Sequence, residues 1–177
     1  MGFTLIELML VMAVLVILLA VGVPNYQQFR NDNELSGAAF TLYSDIQFAK
    51  TEAVKRNNNN IRLYFFDTAG TEWCYRITDR SASECNSCSA VCDIGGDGIT
   101  RGNDQQNYPR TALTTSFNSG NNIQISSRRS GLQLSDPADH INLALAGKEV
   151  TVGLSRMGAV HICSASGSSL PGVEPCS

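Results

Sequence analysis

Gly2-Phe3-Thr4-Leu5-Ile6-Glu7-Leu8 runs into LMLVMAVLVILLAVGV at 8–23, a stretch without a charge. As a helix, Phe3 to Val23 would measure about 30 Å, the thickness of a bilayer's hydrocarbon core. Backbone groups in hydrocarbon must bond within their own segment, so the segment is predicted to be helical. Three simpler readings compete. A cleaved secretory signal has a charged start and a small-residue site after its apolar run, and no A-x-A follows here. A plain membrane anchor accounts for length and composition alone. A buried core helix of this length would carry polar interruptions.

Glu7 sets the segment apart. A carboxylate in a spanning helix costs roughly 2.5–3.5 kcal/mol near the bilayer centre and less toward the interface. Such a group calls for a partner. If the chain is cut after Gly2, the new Phe3 amine lies one helical turn from Glu7. The same amine of a neighbouring subunit could neutralise it in a bundle.

Residues 2–8 resemble the prepilin peptidase motif of type IV pilins and type II secretion pseudopilins. The resemblance implies cleavage between Gly2 and Phe3, N-methylation of Phe3, and a docking role for Glu7. Gly22 and Pro24 match helix-loosening positions of that family. Pro24 also lacks an N–H and clashes with the preceding turn, so a kink or melted stretch is expected there. Leaders of the family carry Lys or Arg before the glycine. Here Met1 alone precedes it, so flanking charge gives no orientation.

Beyond Asn25–Arg30 a second helical pattern spans Leu35 to Arg56. Leu35, Ala39, Leu42, Ile46, Ala49 and Ala53 recur at three- or four-residue spacing and form one apolar stripe. Asp45, Lys50, Glu52, Lys55 and Arg56 supply the polar side, and Asn57-Asn58-Asn59-Asn60 stops the helix. The two halves make one long kinked helix whose second half packs on a domain. Strands are predicted at 61–66, 73–77, 112–117, 123–126, 141–145, 149–154 and 159–163, from their β-branched and aromatic residues between Gly- and Asn-rich breaks. Residues 81–107 read as a long polar loop.

Residues 42–57, with Asp45-Ile46-Gln47 and Thr51-Glu52-Ala53-Val54-Lys55-Arg56, resemble the helix end of minor pilins of the FimT/FimU kind and of GspH-type pseudopilins. Trp73 and Ser155-Arg156-x-Gly158 fit as well. The resemblance implies an α+β fold, a long N-terminal helix packed on an antiparallel β-sandwich-like head. Residues 1–2 are then a leader remnant, 3–24 the transmembrane and assembly helix, 25–57 its amphipathic half and 58–177 the head. The implied role is a minor pilin that primes assembly or sits near a pilus tip, with a type II secretion pseudopilin as the alternative. The implied partners are major and minor pilins, prepilin peptidase and the inner membrane, with the head first in the periplasm and later outside the cell.

Six cysteines, Cys74, Cys85, Cys88, Cys92, Cys163 and Cys176, all follow the apolar segment. Their even number favours disulfides formed outside the cytoplasm. A Cys163–Cys176 bridge would staple the tail to the last strand, with about 3 kcal/mol of restriction on the unfolded chain. For the other four, Cys74–Cys85 with Cys88–Cys92 and Cys74–Cys92 with Cys85–Cys88 are both open. Cys85-x-x-Cys88 has zinc-site spacing but lacks a second tight pair. Asp93-Ile94-Gly95-Gly96-Asp97-Gly98 departs from a calcium-loop pattern and reads as a surface loop.

The net charge of −3 gives no global cationic field for nucleic acid. A local patch of Arg128, Arg129, Lys148, Arg156 and His161 is a candidate for phosphate contact. DNA-binding relatives in the FimT branch carry Gly-Arg-x-Arg, where this chain has Gly158-Ala159-Val160-His161, so DNA as a partner is disfavoured. His140 and His161 lie far apart, and no Ser/His/Asp or Cys/His spacing appears. Asp136, Asp139 and His140 beside Pro137 suit a turn. No catalytic residue, metal or cofactor is expected, and the chain is read as a structural subunit rather than an enzyme.

Overall fold

The computed structural model describes residues 4–66, 72–117, 121–128, 130–134, 136 and 138–176, with residues 21 and 24 described by backbone alone. Its contacts divide the chain after Asn33. The helix α1, Leu5–Arg56, belongs to both units.

Thr4 starts α1. Its carbonyl accepts from Leu8 N at 3.3 Å, and its Oγ1 accepts from Glu7 N at 3.4 Å. This supplies a side-chain acceptor to an otherwise orphaned N–H. No side chain from 4 to 20 is buried, and the segment is long and apolar enough to cross a membrane. The expected melted stretch at Gly22 and Pro24 is not found, because α1 is helical through both. A proline in a helix interior costs about 3 kcal/mol. Unwinding would instead strand several more backbone groups, which is worse in hydrocarbon.

From Glu34 onward, α1 packs with the head. Its stripe of Leu35, Ala38, Ala39, Leu42, Ile46, Ala49 and Ala53 is buried, and it ends in a Schellman motif. Asn57 takes the left-handed conformation (φ 47°). Asn57 N donates to Val54 O at 3.1 Å and Asn58 N to Ala53 O at 3.0 Å. The asparagine run then stitches loops together: Asn59 Oδ1 accepts from Ser127 N and Oγ, and Asn58 Nδ2 donates to Asp79.

Among the described residues nine strands follow: β1 (Arg62–Phe66), β2 (Cys74–Thr78), β3 (Arg101–Asp104), β4 (Ala112–Thr115), β5 (Asn122–Ile125), β6 (Leu132–Gln133), β7 (His140–Leu145), β8 (Lys148–Leu154) and β9 (Val160–Ser164). They form two antiparallel sheets, ordered β3-β2-β1-β5-β6 and β4-β7-β8-β9. Their inner faces and the α1 stripe share one core, which includes Leu63, Phe65, Tyr75, Ile77, Ile123, Ile141, Leu143, Val150 and Val152. Each large side chain buried there contributes about 1.5–3 kcal/mol. The fold is α+β, as expected.

Two short strands lie where no strand is predicted. β3 sits inside the polar 81–107 stretch. It carries no apolar residue and is held by its register with β2, Gly102 opposite Arg76. Gly102 has φ 125°, and a Cβ there would stand 2.1 Å from Tyr75 O, so only glycine fits so close to β2. β6 pairs with β5 through two residues. After β9 the tail returns: Ser164 N donates to Glu174 O at 2.7 Å, and Cys176 N donates to Ser164 O at 3.0 Å.

Candidate functional site: a capped apolar helix and a disulfide-stapled head

Thr4-x-x-Glu7 has the spacing of a capping box, with the carboxylate in the first turn of α1. Negative charge there complements the helix dipole. Glu7 is exposed, so its charge faces outward from an otherwise apolar cylinder. Gly2 and Phe3, the expected cleavage and methylation positions, lie outside the described residues. Pro24 falls within α1.

All six cysteines are bridged, as Cys74–Cys88, Cys85–Cys92 and Cys163–Cys176. Neither pairing weighed for the first four from sequence is present. The reason is local. Cys85 N and Glu84 N both donate to Ser81 O in a tight turn, and Cys85 and Cys92 then pack together on Tyr64. Cys88 is left beside Cys74, where Arg76 Nη2 donates to Cys88 O at 3.1 Å. Cys85 and Cys88 sit in different bridges, so the C-x-x-C zinc reading fails.

The acidic loop is already neutralised. Asp93, 1% exposed, receives Nε and Nη2 of Arg80 and Gly98 N at 2.8 Å. These contacts, Arg80 foremost, hold its carboxyl well below the usual range, at about 2. Arg101 engages both oxygens of Asp97. The Asp93 and Asp97 carboxylates are thus both engaged by guanidinium groups.

The basic candidates separate into two places. Arg128 and Arg156 are exposed on neighbouring turns. A Cβ on Gly131 would lie 2.8 Å from Arg156 O, and one on Gly158 2.2 Å from Ser130 O. Lys50 Nζ reaches the same turn, donating to Gly158 O at 2.8 Å. Lys148 stands at the opposite end of β8 and donates to Ser169 O at 3.1 Å. Arg129 lies outside the described residues.

A family model, type II transport protein GspH, matches residues 38–167. The match runs from the buried face of α1 to the turn beyond β9. The chain belongs to the GspH family. No solved structure matches the chain. Membership gives it a pilin-like role, of pseudopilin or minor-pilin type. The match covers the GspH head, and the apolar first half of α1 lies before it.

In that head the register brings together two residues that look unrelated in sequence. His140 of β7 pairs with Gly153 of β8, and Gly153 pairs with His161 of β9. The two histidines therefore lie in one row on the outer face of the second sheet. No motif spacing marks them. Only strand alternation combined with the β7–β8–β9 order could have found them. Among the described residues, no group of three or more His, Cys, Asp or Glu is placed to hold a metal ion.

Proposed function

We propose that this GspH-family chain is a minor pilin of the FimT/FimU kind: a structural subunit without catalytic activity that enters a type IV pilus through α1. One observation carries the reading. From Leu5 to Leu19 the helix is apolar and exposed all round, and its one carboxylate, Glu7, sits in the capped first turn. A surface of that kind needs lipid before assembly and neighbouring helices after it. In this reading prepilin peptidase cuts between Gly2 and Phe3, Phe3 is N-methylated, and Glu7 meets the amine of an adjacent subunit. The head faces the periplasm while α1 spans the inner membrane, and it leaves the cell with the filament. Phe40, Tyr43, Phe48 and Val54 of α1 are also exposed and give further apolar surface for neighbouring pilins. DNA binding is not part of the proposal, since Lys148 is remote from Arg128 and Arg156.

The second reading is a pseudopilin of a type II secretion system, favoured by the description of the matching family. Deletion separates the two, because loss of surface pili supports the first and loss of exoprotein secretion the second. Glu7→Ala should abolish filament entry while leaving the head folded. Normal incorporation of that variant would overturn the docking role.

A further inference from the structure

We propose that His140 and His161 form a two-imidazole site for a divalent transition-metal ion, zinc foremost, on the outer face of the second sheet. Directly paired residues share a face, with Cβ positions about 4.5–5.5 Å apart. Gly153, between the two histidines, leaves that space open. The His161 ring fills it: a Cβ on Gly153 would lie 2.2 Å from both Cε1 and Nε2 of His161. The tip of His161 thus stands over Gly153, one strand from the His140 position. Any larger residue at 153 would stand between the rings.

His140 is set up as a ligand. Its Nδ1 is 2.8 Å from Ala138 O. A carbonyl only accepts, so Nδ1 is the donor and Nε2 is the ring nitrogen left to bind a metal ion. A backbone carbonyl fixing the tautomer in this way is the usual support of a metal-binding imidazole. Both rings line one cavity of about 310 Å³, together with Thr151, Asp139 and the Cys163–Cys176 bridge. No Lys or Arg is among the described lining residues, so no cationic side chain opposes a metal ion there.

Imidazole pairs suit zinc, copper or nickel and not calcium or magnesium. Zinc takes four ligands, with nitrogens at about 2.0–2.1 Å. Two imidazoles leave two positions for water or for a donor from another molecule, so the site is open.

The test is calorimetric titration of ZnCl₂ into untagged full-length protein in detergent near neutral pH. One site is expected. His140→Ala and His161→Ala should each weaken it roughly tenfold or more, because removing either donor ends the chelate. Gly153→Val should weaken it as well by filling the gap. Electron paramagnetic resonance of the Cu²⁺-loaded wild type should show two nitrogen couplings, falling to one in either alanine variant. Zinc uptake unchanged in both single variants, dependence on one histidine alone, or a one-nitrogen copper spectrum in the wild type would each overturn the proposal. The copper spectrum decides the matter even if a variant misfolds.

Discussion

Tyr75 Oη donates to Asp45 Oδ2 across 2.7 Å, tying β2 to the amphipathic part of α1. Burial raises the Asp45 carboxyl above its ordinary range, although the Tyr75 hydrogen bond pulls the other way. Burial, reinforced by the charge of Asp45, drives the Tyr75 phenol far above its own. The phenol therefore stays a donor at any ordinary pH.

Tyr75→Phe should cost about 1 kcal/mol by chemical denaturation, since Asp45 loses its donor in a half-exposed setting. Asp45→Asn keeps an acceptor and removes the charge. Because the folded pKa of Asp45 is raised, its ionised form is held less well by the folded chain than by the unfolded one. Wild-type stability from this group declines as pH rises from about 4. Melting curves across pH should show the asparagine variant gaining on wild type over that rise. A constant gap would contradict the argument.

Asp93 has the opposite sign. Its folded pKa is lowered to about 2, chiefly by Arg80 and then by the Gly98 N–H. Its contribution is fully present above about pH 4 and is lost as pH falls toward 2. Asp93→Asn should flatten that part of the acid unfolding curve, and Arg80→Gln should do much the same.

Non-reducing peptide mapping should recover Cys74–Cys88, Cys85–Cys92 and Cys163–Cys176, which close sequence separations of 14, 7 and 13 residues. Cys88→Ser should leave one free thiol, at Cys74, and the Cys85–Cys92 bridge intact. Losing a bridge of about this span costs about 3 kcal/mol in the chain-entropy model. A map linking Cys85 to Cys88 would refute the loop geometry.

Gly102→Ala should destabilise by about 1–3 kcal/mol through its positive φ and its approach to Tyr75 O, and it should speed amide exchange along β2 and β3. Gly96, at φ 73° with nothing within 4 Å of a Cβ, is the comparison. Alanine there should cost about 1 kcal/mol, from backbone strain alone.

Much of the fold was legible because it is written in short-range periodicity. The apolar run from Leu8, the stripe from Leu35 to Ala53 and the β-branched and aromatic stretches that become β1, β7 and β8 each occupy one continuous segment. β3 carries no such pattern, because Arg101-Gly102-Asn103-Asp104 is an edge strand recruited by its neighbour. The cysteine pairing and the His140–Gly153–His161 row escaped for a related reason. Both depend on which distant segments become adjacent, and that is settled by sheet order and by the turn at Ser81.

The returning tail has a consequence for crowding. Ser164 would otherwise turn its backbone N–H and carbonyl outward at the open margin of the second sheet, a template for pairing with another chain. Glu174 and Cys176 occupy both groups, and the bond from Cys163 to Cys176 keeps them there. Wherever heads come close together, as in the proposed filament, this short strap is a guard against strand-to-strand aggregation, and reducing one disulfide would loosen it.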